Sequence, residues 1–192
     1  MRRWLPYSGL AVVGALVWTP QAAMPQDVAS LQGTFAWDST AGDDVAEAID
    51  AGTAGMGFLH RRFARRHLEA ANRPYRTITI EQDEETISIA TDGGEPIRAP
   101  VSGAPIDWTR GDGKQIRVSI AREHGAIRQT FTVEDEEREH VFRPSADGQG
   151  LTMAVTVRMA RLPNAIRYEL VYRPAQQSRM REFLRHMPAR GL

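Results

Sequence analysis

The side chains of this 192-residue chain that could carry chemistry begin with five histidines and one acidic run. His60 and His67 are seven residues apart in a predicted helix, about 10 Å by helical rise, so they cannot bind one metal ion as an i, i+4 pair would. The acidic run from Glu134 to Glu137 lacks the alternating Asp or Asn and the Gly of a calcium loop, and is expected to be a solvated turn. We therefore predict no metal site.

Catalytic motifs are also missing from the sequence. It contains no G-x-S-x-G or H-E-x-x-H segment and no cysteine. His140 follows Glu139 and could serve a hydrolase, but no spacing places a nucleophile beside this pair. The sequence thus predicts no catalytic residue, no cofactor and no enzymatic activity.

Gln129 is the polar residue most unusual for its position. The segment from Lys114 to Glu134 alternates apolar and polar residues on both sides of Gly125, which is typical of an antiparallel hairpin buried on one face. Gln129 occupies the apolar phase between Ile127 and Phe131. We expect its amide to point into the interior, where it needs a partner or a ligand.

The large or polar residues of the predicted inward phase form a candidate ligand site. Small-molecule pockets are apolar cavities with a few well-placed polar groups. Each of these residues could equally belong to a filled core, with the amide bonded internally and the tyrosine hydroxyls at the rim. The candidates are Trp37, Trp108, Gln129, Phe131, Tyr168 and Tyr172.

The elements that must position these residues are mainly strands. Period-two alternation begins near Tyr75 and continues to Arg173, with turn signals between strands and no intervening helical segment. Arginine and glutamate occupy the outward phase, the reverse of a membrane barrel. The pattern predicts a mainly β protein whose 75–173 region forms a water-soluble, antiparallel up-and-down β-barrel; a sandwich is the alternative.

A helical insertion is predicted at 43–72, after a short first strand from Gly33 to Asp38. Ser39, Thr40, Asp43 and Asp44 signal its start, and Pro74 ends it. Glycines interrupt its apolar stripe, so we expect two helices or a break. The stripe consists of Val45, Ile49, Met56, Leu59 and Phe63, and the glycines are Gly52, Gly55 and Gly57. A C-terminal amphipathic helix is predicted at 177–187.

Four arginines give the insertion a basic face, namely Arg61, Arg62, Arg65 and Arg66. One interpretation is a solvated cationic surface. The other is a surface-binding site, in which the helix and the basic tail contact anionic lipid, wall polymer or a protein partner at the cell envelope.

The first 23 residues are typical of a signal peptide. Arg2 and Arg3 precede the apolar run Leu10–Trp18 and the small residues Ala22 and Ala23. The run is about half of the roughly 20 residues that a membrane helix needs, although an uncleaved anchor remains the alternative. We predict a signal peptide at 1–23, a single barrel domain at 24–192 without a transmembrane span, and a periplasmic or secreted location. A net charge of zero disfavours nucleic acid as a partner.

Gly33-Thr34-Phe35 near the start of the predicted mature chain, followed by a helical segment, a β-meander and a final amphipathic helix, resembles the lipocalin-like (calycin) plan of exported bacterial barrels. That family carries Trp two residues after the Gly, where this chain has Phe35 and then Trp37 two positions later. The resemblance implies a barrel of eight or more strands, closed at one end, with an apolar pocket at the other. It also implies binding or carriage of a small hydrophobic molecule.

Overall fold

The computed structural model describes residues 31–176, so the predicted signal peptide at 1–23 and the predicted helix at 177–187 lie outside the described residues. Within this range the chain forms ten strands and two helices. In chain order these are β1 (Gly33–Gly42), α1 (Val45–Gly52), α2 (Phe58–Ala71), β2 (Thr77–Gln82), β3 (Thr86–Thr91), β4 (Ile97–Pro100), β5 (Ile106–Thr109), β6 (Gln115–Glu123), β7 (Ala126–Val133), β8 (Glu136–Pro144), β9 (Leu151–Met159) and β10 (Ile166–Pro174).

The ten strands form one antiparallel sheet that curls into a nearly closed barrel. Its order is β4-β3-β2-β1-β10-β9-β8-β7-β6-β5, so the two ends of the sheet are consecutive strands of the chain. The barrel closes just beyond β4, where Ser102 bridges to Ala121 and the Arg122 amide donates to the Val101 carbonyl at 3.2 Å. The predicted fold, a mainly β antiparallel barrel with helices inserted after the first strand, is confirmed.

The barrel interior follows directly from residue alternation. In β9 the residues Leu151, Met153, Val155 and Val157 are buried, and the residues between them are more exposed. Because side chains of a strand point alternately to the two faces of a sheet, the buried set lines the interior. Full burial of one such side chain contributes about 1.5–3 kcal/mol to folding, and this core holds the domain in a chain without cysteine.

The helical insertion begins and breaks for the expected local reasons. Asp44 caps α1, and its Oδ1 accepts from the amide of Ala46 at 2.8 Å. Gly55 has a φ of +92° in the connection between α1 and α2, a conformation that favours glycine. Ser39 and Thr40 are not part of this start signal, however, because they belong to β1, which continues to Gly42 beside Leu170 of β10.

The prediction that Leu59 and Phe63 belong to a buried apolar stripe was wrong for α2. Leu59 and Phe63 are 66% and 74% exposed, and Phe58 is 79% exposed. The helix buries Leu68 instead, at 2% exposure. With Leu68 in the core and Arg61 and Arg65 paired with Asp50 of α1, the face of Leu59 and Phe63 is exposed to solvent.

Strand β8 is longer than the sequence indicated. A solvated turn was expected at 134–137, but β8 begins at Glu136 and pairs with β7 from Glu136 to Phe142 and with β9 along its whole length. Consecutive charges concealed the alternation. Glu137 and Glu139 accept from arginines of the outer face, which leaves Arg138 on the inner face.

Candidate ligand-binding cavity

The barrel contains a cavity of about 620 Å³ beneath α2. It occupies the half of the barrel nearest the helices, where β3, β5, β7 and β9 end and β4, β6 and β8 begin. This volume lies within the roughly 300–1,000 Å³ typical of small-molecule sites. Its apolar lining is Ala71, Ile89, Ile97, Trp108, Ile116, Phe131, Val133 and Met159, and its polar lining is His67, Tyr75, Thr91, Glu95, Arg110, Lys114, Gln129, Glu136, Arg138 and His140.

Strand register brings the central polar groups together. Gln129 of β7 lies directly opposite His140 of β8, and Phe131 lies directly opposite Arg138. Directly paired residues point to the same face of a sheet, so all four project inward. The predicted inward direction of Gln129 is confirmed, because this residue is only 2% exposed and lines the cavity.

His140 is an uncharged group among aromatic rings. Its ring centroid lies 5.3 Å from that of Phe131, 6.0 Å from that of Tyr75 and 6.1 Å from that of Phe142, in edge-to-face geometry. Burial, with a smaller contribution from the charge of Arg138, lowers the pKa of His140 to about 3. At neutral pH its imidazole can therefore offer one N–H donor and one nitrogen acceptor.

Arg138 is a charged group of the inner barrel wall, on the same face of β8 as Glu136. It pairs with Phe131 on one side and with Val157, which is fully buried, on the other. Across residues 31–176 no carboxylate forms an ion pair with it. Burial raises the pKa of Tyr168 to about 12, and the positive charge of Arg138 acts against this rise. The cavity thus holds a cation without an anionic partner.

Glu136, two residues before Arg138 on β8, also lines the cavity. The remaining charged or titratable lining residues lie at the cavity mouth, which we define by His67, Glu95, Arg110 and Lys114. These four side chains are exposed, on α2 and in the two turns that join β3 to β4 and β5 to β6. Arg110 is engaged by Asp112 at 2.5 Å. The mouth is therefore polar and solvated, whereas Gln129 and His140, beside Arg138, are buried polar groups of the interior.

Three of the six predicted ligand-binding residues line the same cavity. Trp108, Gln129 and Phe131 line the cavity together. Tyr168 and Tyr172 are buried, at 6% and 0% exposure, but belong to the wall around it. Trp37 pairs with Tyr172 yet is 37% exposed and does not line the cavity, because the register with β10 shifts just after it. A ligand contact of any of the six stays a prediction.

Sequence reasoning missed Tyr75 and Arg138 as lining residues and treated His140 only as a partner of Glu139. That pairing is not formed. Neighbouring residues of a strand face opposite ways, so His140 points inward while Glu139 accepts from Arg128 outside the barrel. Counting back by twos from Phe142 would have found both His140 and Arg138.

The two helices are joined to each other and to the barrel wall, and we call α1 and α2 together the lid, of which α2 borders the cavity through His67 and Ala71. Asp50 of α1 binds Arg65 of α2 at 2.8 Å and Arg61 at 3.5 Å. A Cβ added to Gly52 would lie 2.5 Å from Cγ1 of Ile166, so α1 packs directly on β10. The lid is thus joined internally by an ion pair and to the wall by close packing.

Residues 31–176 contain no group of three His, Asp or Glu side chains arranged to hold a metal ion. Within the same range, neither helix has the length and apolar character required to cross a membrane.

Several solved structures share this architecture. The fluorescent protein UnaG matches with a TM-score of 0.51 and 14% identity, over 77% of this chain and 99% of that protein. The REP1-NXSQ fatty acid transporter matches with a TM-score of 0.46 and 17% identity, over 77% and 97%. Zebrafish ileal bile acid-binding protein, in complex with cholic acid, matches with a TM-score of 0.48 and 14% identity, over 76% and 99%. No family model and no curated protein sequence matches the chain. At these identities the likeness concerns the fold alone.

Proposed function

We propose that the protein binds a small hydrophobic molecule that carries an acidic group. The apolar body would occupy the cavity between Trp108, Phe131 and Met159, and the acid would lie against Arg138. The observation that carries this proposal is the inward cation without a carboxylate partner among residues 31–176. A partly buried charge is costly unless it is paired, and an acidic ligand supplies the missing anion.

The neighbours of Arg138 support an oxygen-rich head group. Gln129 can donate through its amide, His140 through one ring nitrogen and Tyr75 through its hydroxyl, and all three line the same cavity. Burial raises the pKa of Tyr75, so its hydroxyl stays protonated at neutral pH. The site therefore offers several donors around one positive charge.

The direct test compares a fluorescent long-chain carboxylate with its methyl ester, titrated into the full protein. Arg138→Gln should weaken binding of the acid about 10-fold or more, since a hydrogen bond to a charged group contributes about 1.5–3 kcal/mol, and should leave the ester nearly unaffected. The matched control is Arg167→Gln, which makes the same change at an exposed position on β10. Equal affinities of wild type and Arg138→Gln for the acid would contradict the acidic-ligand proposal, and no binding of either probe would contradict the cavity as a site.

We also propose export to the periplasm or the extracellular medium, on the basis of residues 1–23. Expression of the full chain in a bacterial host, followed by N-terminal sequencing of the purified protein, tests this proposal. We expect a mature chain that begins at Met24, and an intact N-terminus in the cytoplasmic fraction would contradict it.

A further inference from the structure

The exposed side of α2 combines large apolar side chains with free positive charge. We propose that this surface, the outer face of α2, docks on an anionic lipid surface. We define the face by Phe58, Leu59, Arg62, Phe63 and Arg66. The inference goes beyond the proposed function and does not require the cavity to hold a ligand.

The apolar part of the face is unusual for a water-exposed helix. Phe58, Leu59 and Phe63 are 79%, 66% and 74% exposed, and with Trp37 they are the large hydrophobic side chains exposed within residues 31–176. Leu59 and Phe63 are four residues apart, so they lie one above the other on the helix. Helices that lie in the membrane interface combine Trp, Phe or Leu side chains, which enter the lipid, with Lys or Arg side chains, which contact the head groups.

The four arginines of α2 have two different roles. Arg61 and Arg65 turn toward α1 and bind Asp50, so they hold the lid together. Arg62 and Arg66 are exposed beside Leu59 and Phe63 and form no ion pair with any residue in the described range. The two outward cations match the charge of acidic lipid head groups.

Docking would also orient the barrel. His67 and Ala71 of α2 line the cavity, so the helix that carries the outer face also borders the cavity mouth. With α2 lying on a lipid surface, the mouth would stand next to the head groups. A molecule dissolved in the lipid could then enter without crossing bulk water.

The test measures binding of the full chain to vesicles of phosphatidylglycerol and phosphatidylcholine in equal amounts, and to vesicles of phosphatidylcholine alone. We expect binding to the acidic vesicles only, weakening as salt is raised. The double variant Arg62→Gln/Arg66→Gln should bind at least about 10-fold more weakly, since each basic side chain near an acidic leaflet strengthens binding about fivefold. The matched control, Arg98→Gln/Arg167→Gln, removes the same charge from exposed positions of the barrel wall and should bind like wild type.

A second variant tests the apolar part of the face. Leu59→Ser/Phe63→Ser keeps the charge and should also lose vesicle binding while melting at the wild-type temperature, because both side chains are exposed. Equal vesicle binding by this variant, by the Arg62/Arg66 variant and by wild type would overturn the proposal. So would a wild type that ignores acidic vesicles but self-associates through the face, which sedimentation would detect as a dimer lost in Leu59→Ser/Phe63→Ser.

Discussion

The hydroxyl of Tyr168 donates a hydrogen bond to Oδ1 of Asn72, with 3.2 Å between the two oxygens. Asn72 follows the last turn of α2 and is 1% exposed, and its Nδ2 donates to the carbonyl of Leu68 at 2.8 Å. One buried amide therefore joins the C-terminal end of α2 to β10 in the barrel wall. The tyrosine that the sequence suggested as a ligand contact anchors the lid.

Replacing Tyr168 with Phe should destabilise the protein by about 1–2 kcal/mol, because the substitution leaves Oδ1 of Asn72 buried without its donor. Tyr172→Phe is the matched control. The hydroxyl of Tyr172 is buried without hydrogen-bond geometry to any residue in the described range, although the backbone of Tyr75 is nearby, so its removal should be neutral or slightly stabilising. Chemical denaturation of the two variants measures the difference, and equal stabilities would refute the anchoring role of Tyr168.

Gln129→Leu should leave the stability unchanged or raise it. The amide is 2% exposed, and no hydrogen bond from its side chain to another described residue accompanies this burial, so leucine strands no protein partner. Arg128→Leu, on the outer face, removes the contacts of Arg128 with Glu123 and Glu139 and should cost at most about 1 kcal/mol.

Thermal melts of both variants, with a parallel titration of the fluorescent carboxylate, measure these effects. Only Gln129→Leu should change the affinity, because only Gln129 faces the cavity. A loss of more than about 2 kcal/mol in ligand-free Gln129→Leu would show that the amide is a structural group.

Acid should destabilise the protein partly through His140. Its folded pKa of about 3 lies below the usual 6.5, so between these values the unfolded chain binds one more proton than the folded chain. The contribution of His140 to stability is therefore complete above about pH 6.5 and is lost as the pH falls toward about 3, by up to about 1.4 kcal/mol per pH unit.

His140→Phe removes this titration and keeps a ring among Tyr75, Phe131 and Phe142. Denaturation of the variant and of wild type at pH 7 and at about pH 4.5 should show the smaller loss in the variant. Parallel losses would mean that the pKa of His140 is the same in the folded and the unfolded chain, and would contradict its lowered value in the fold.

Gly52→Ala should destabilise the protein by about 1–3 kcal/mol, as overpacking of a tight contact does. The new methyl group would lie 2.5 Å from Cγ1 of Ile166 and force α1 away from β10. Gly111→Ala is the control, since no atom lies within 4 Å of its added Cβ. Melting temperatures suffice for the comparison, and equal values would show that α1 can shift freely on the wall.

Alternation was enough to predict the barrel from the sequence, because strands with one buried face repeat apolar residues at every second position. For this reason the alternation from Lys114 to Glu134 predicted both the β6–β7 hairpin and the inward direction of Gln129. Asp44 and the glycines after Ile49 likewise identified the start of α1 and the break before α2. Each of these features depends on residues that are neighbours in the sequence, so each could be predicted from the sequence.

Features that depend on distant contacts were not predictable in this way. The start of β8 was not predicted, because the charged residues there are stabilised by cross-strand partners that the local sequence does not identify. Glu137 pairs with Arg158, and Glu139 pairs with Arg128. Arg138 lies in this part of β8, so it was not recognised as a residue that lines the cavity. Leu59 and Phe63 face solvent because the opposite side of α2 packs Leu68 into the core, a contact with strands far away in sequence.

The pairing of β1 with β10 also bears on how the chain could be reconnected. Phe35 and Pro174 are direct neighbours in the sheet, whereas β4 and β5 follow each other in sequence but end the sheet on opposite sides. A circular permutant joined between β10 and β1 by a short linker, and opened between Ser102 and Pro105, would list its strands in the same order in sequence and in space. The β1–β10 pairing, which joins residues far apart in the natural sequence, would become a pairing of consecutive strands. This change lowers the contact order, and a lower contact order favours faster folding. In the natural connectivity, by contrast, β1 can pair with β10 only after all the other strands of residues 31–176 have been made.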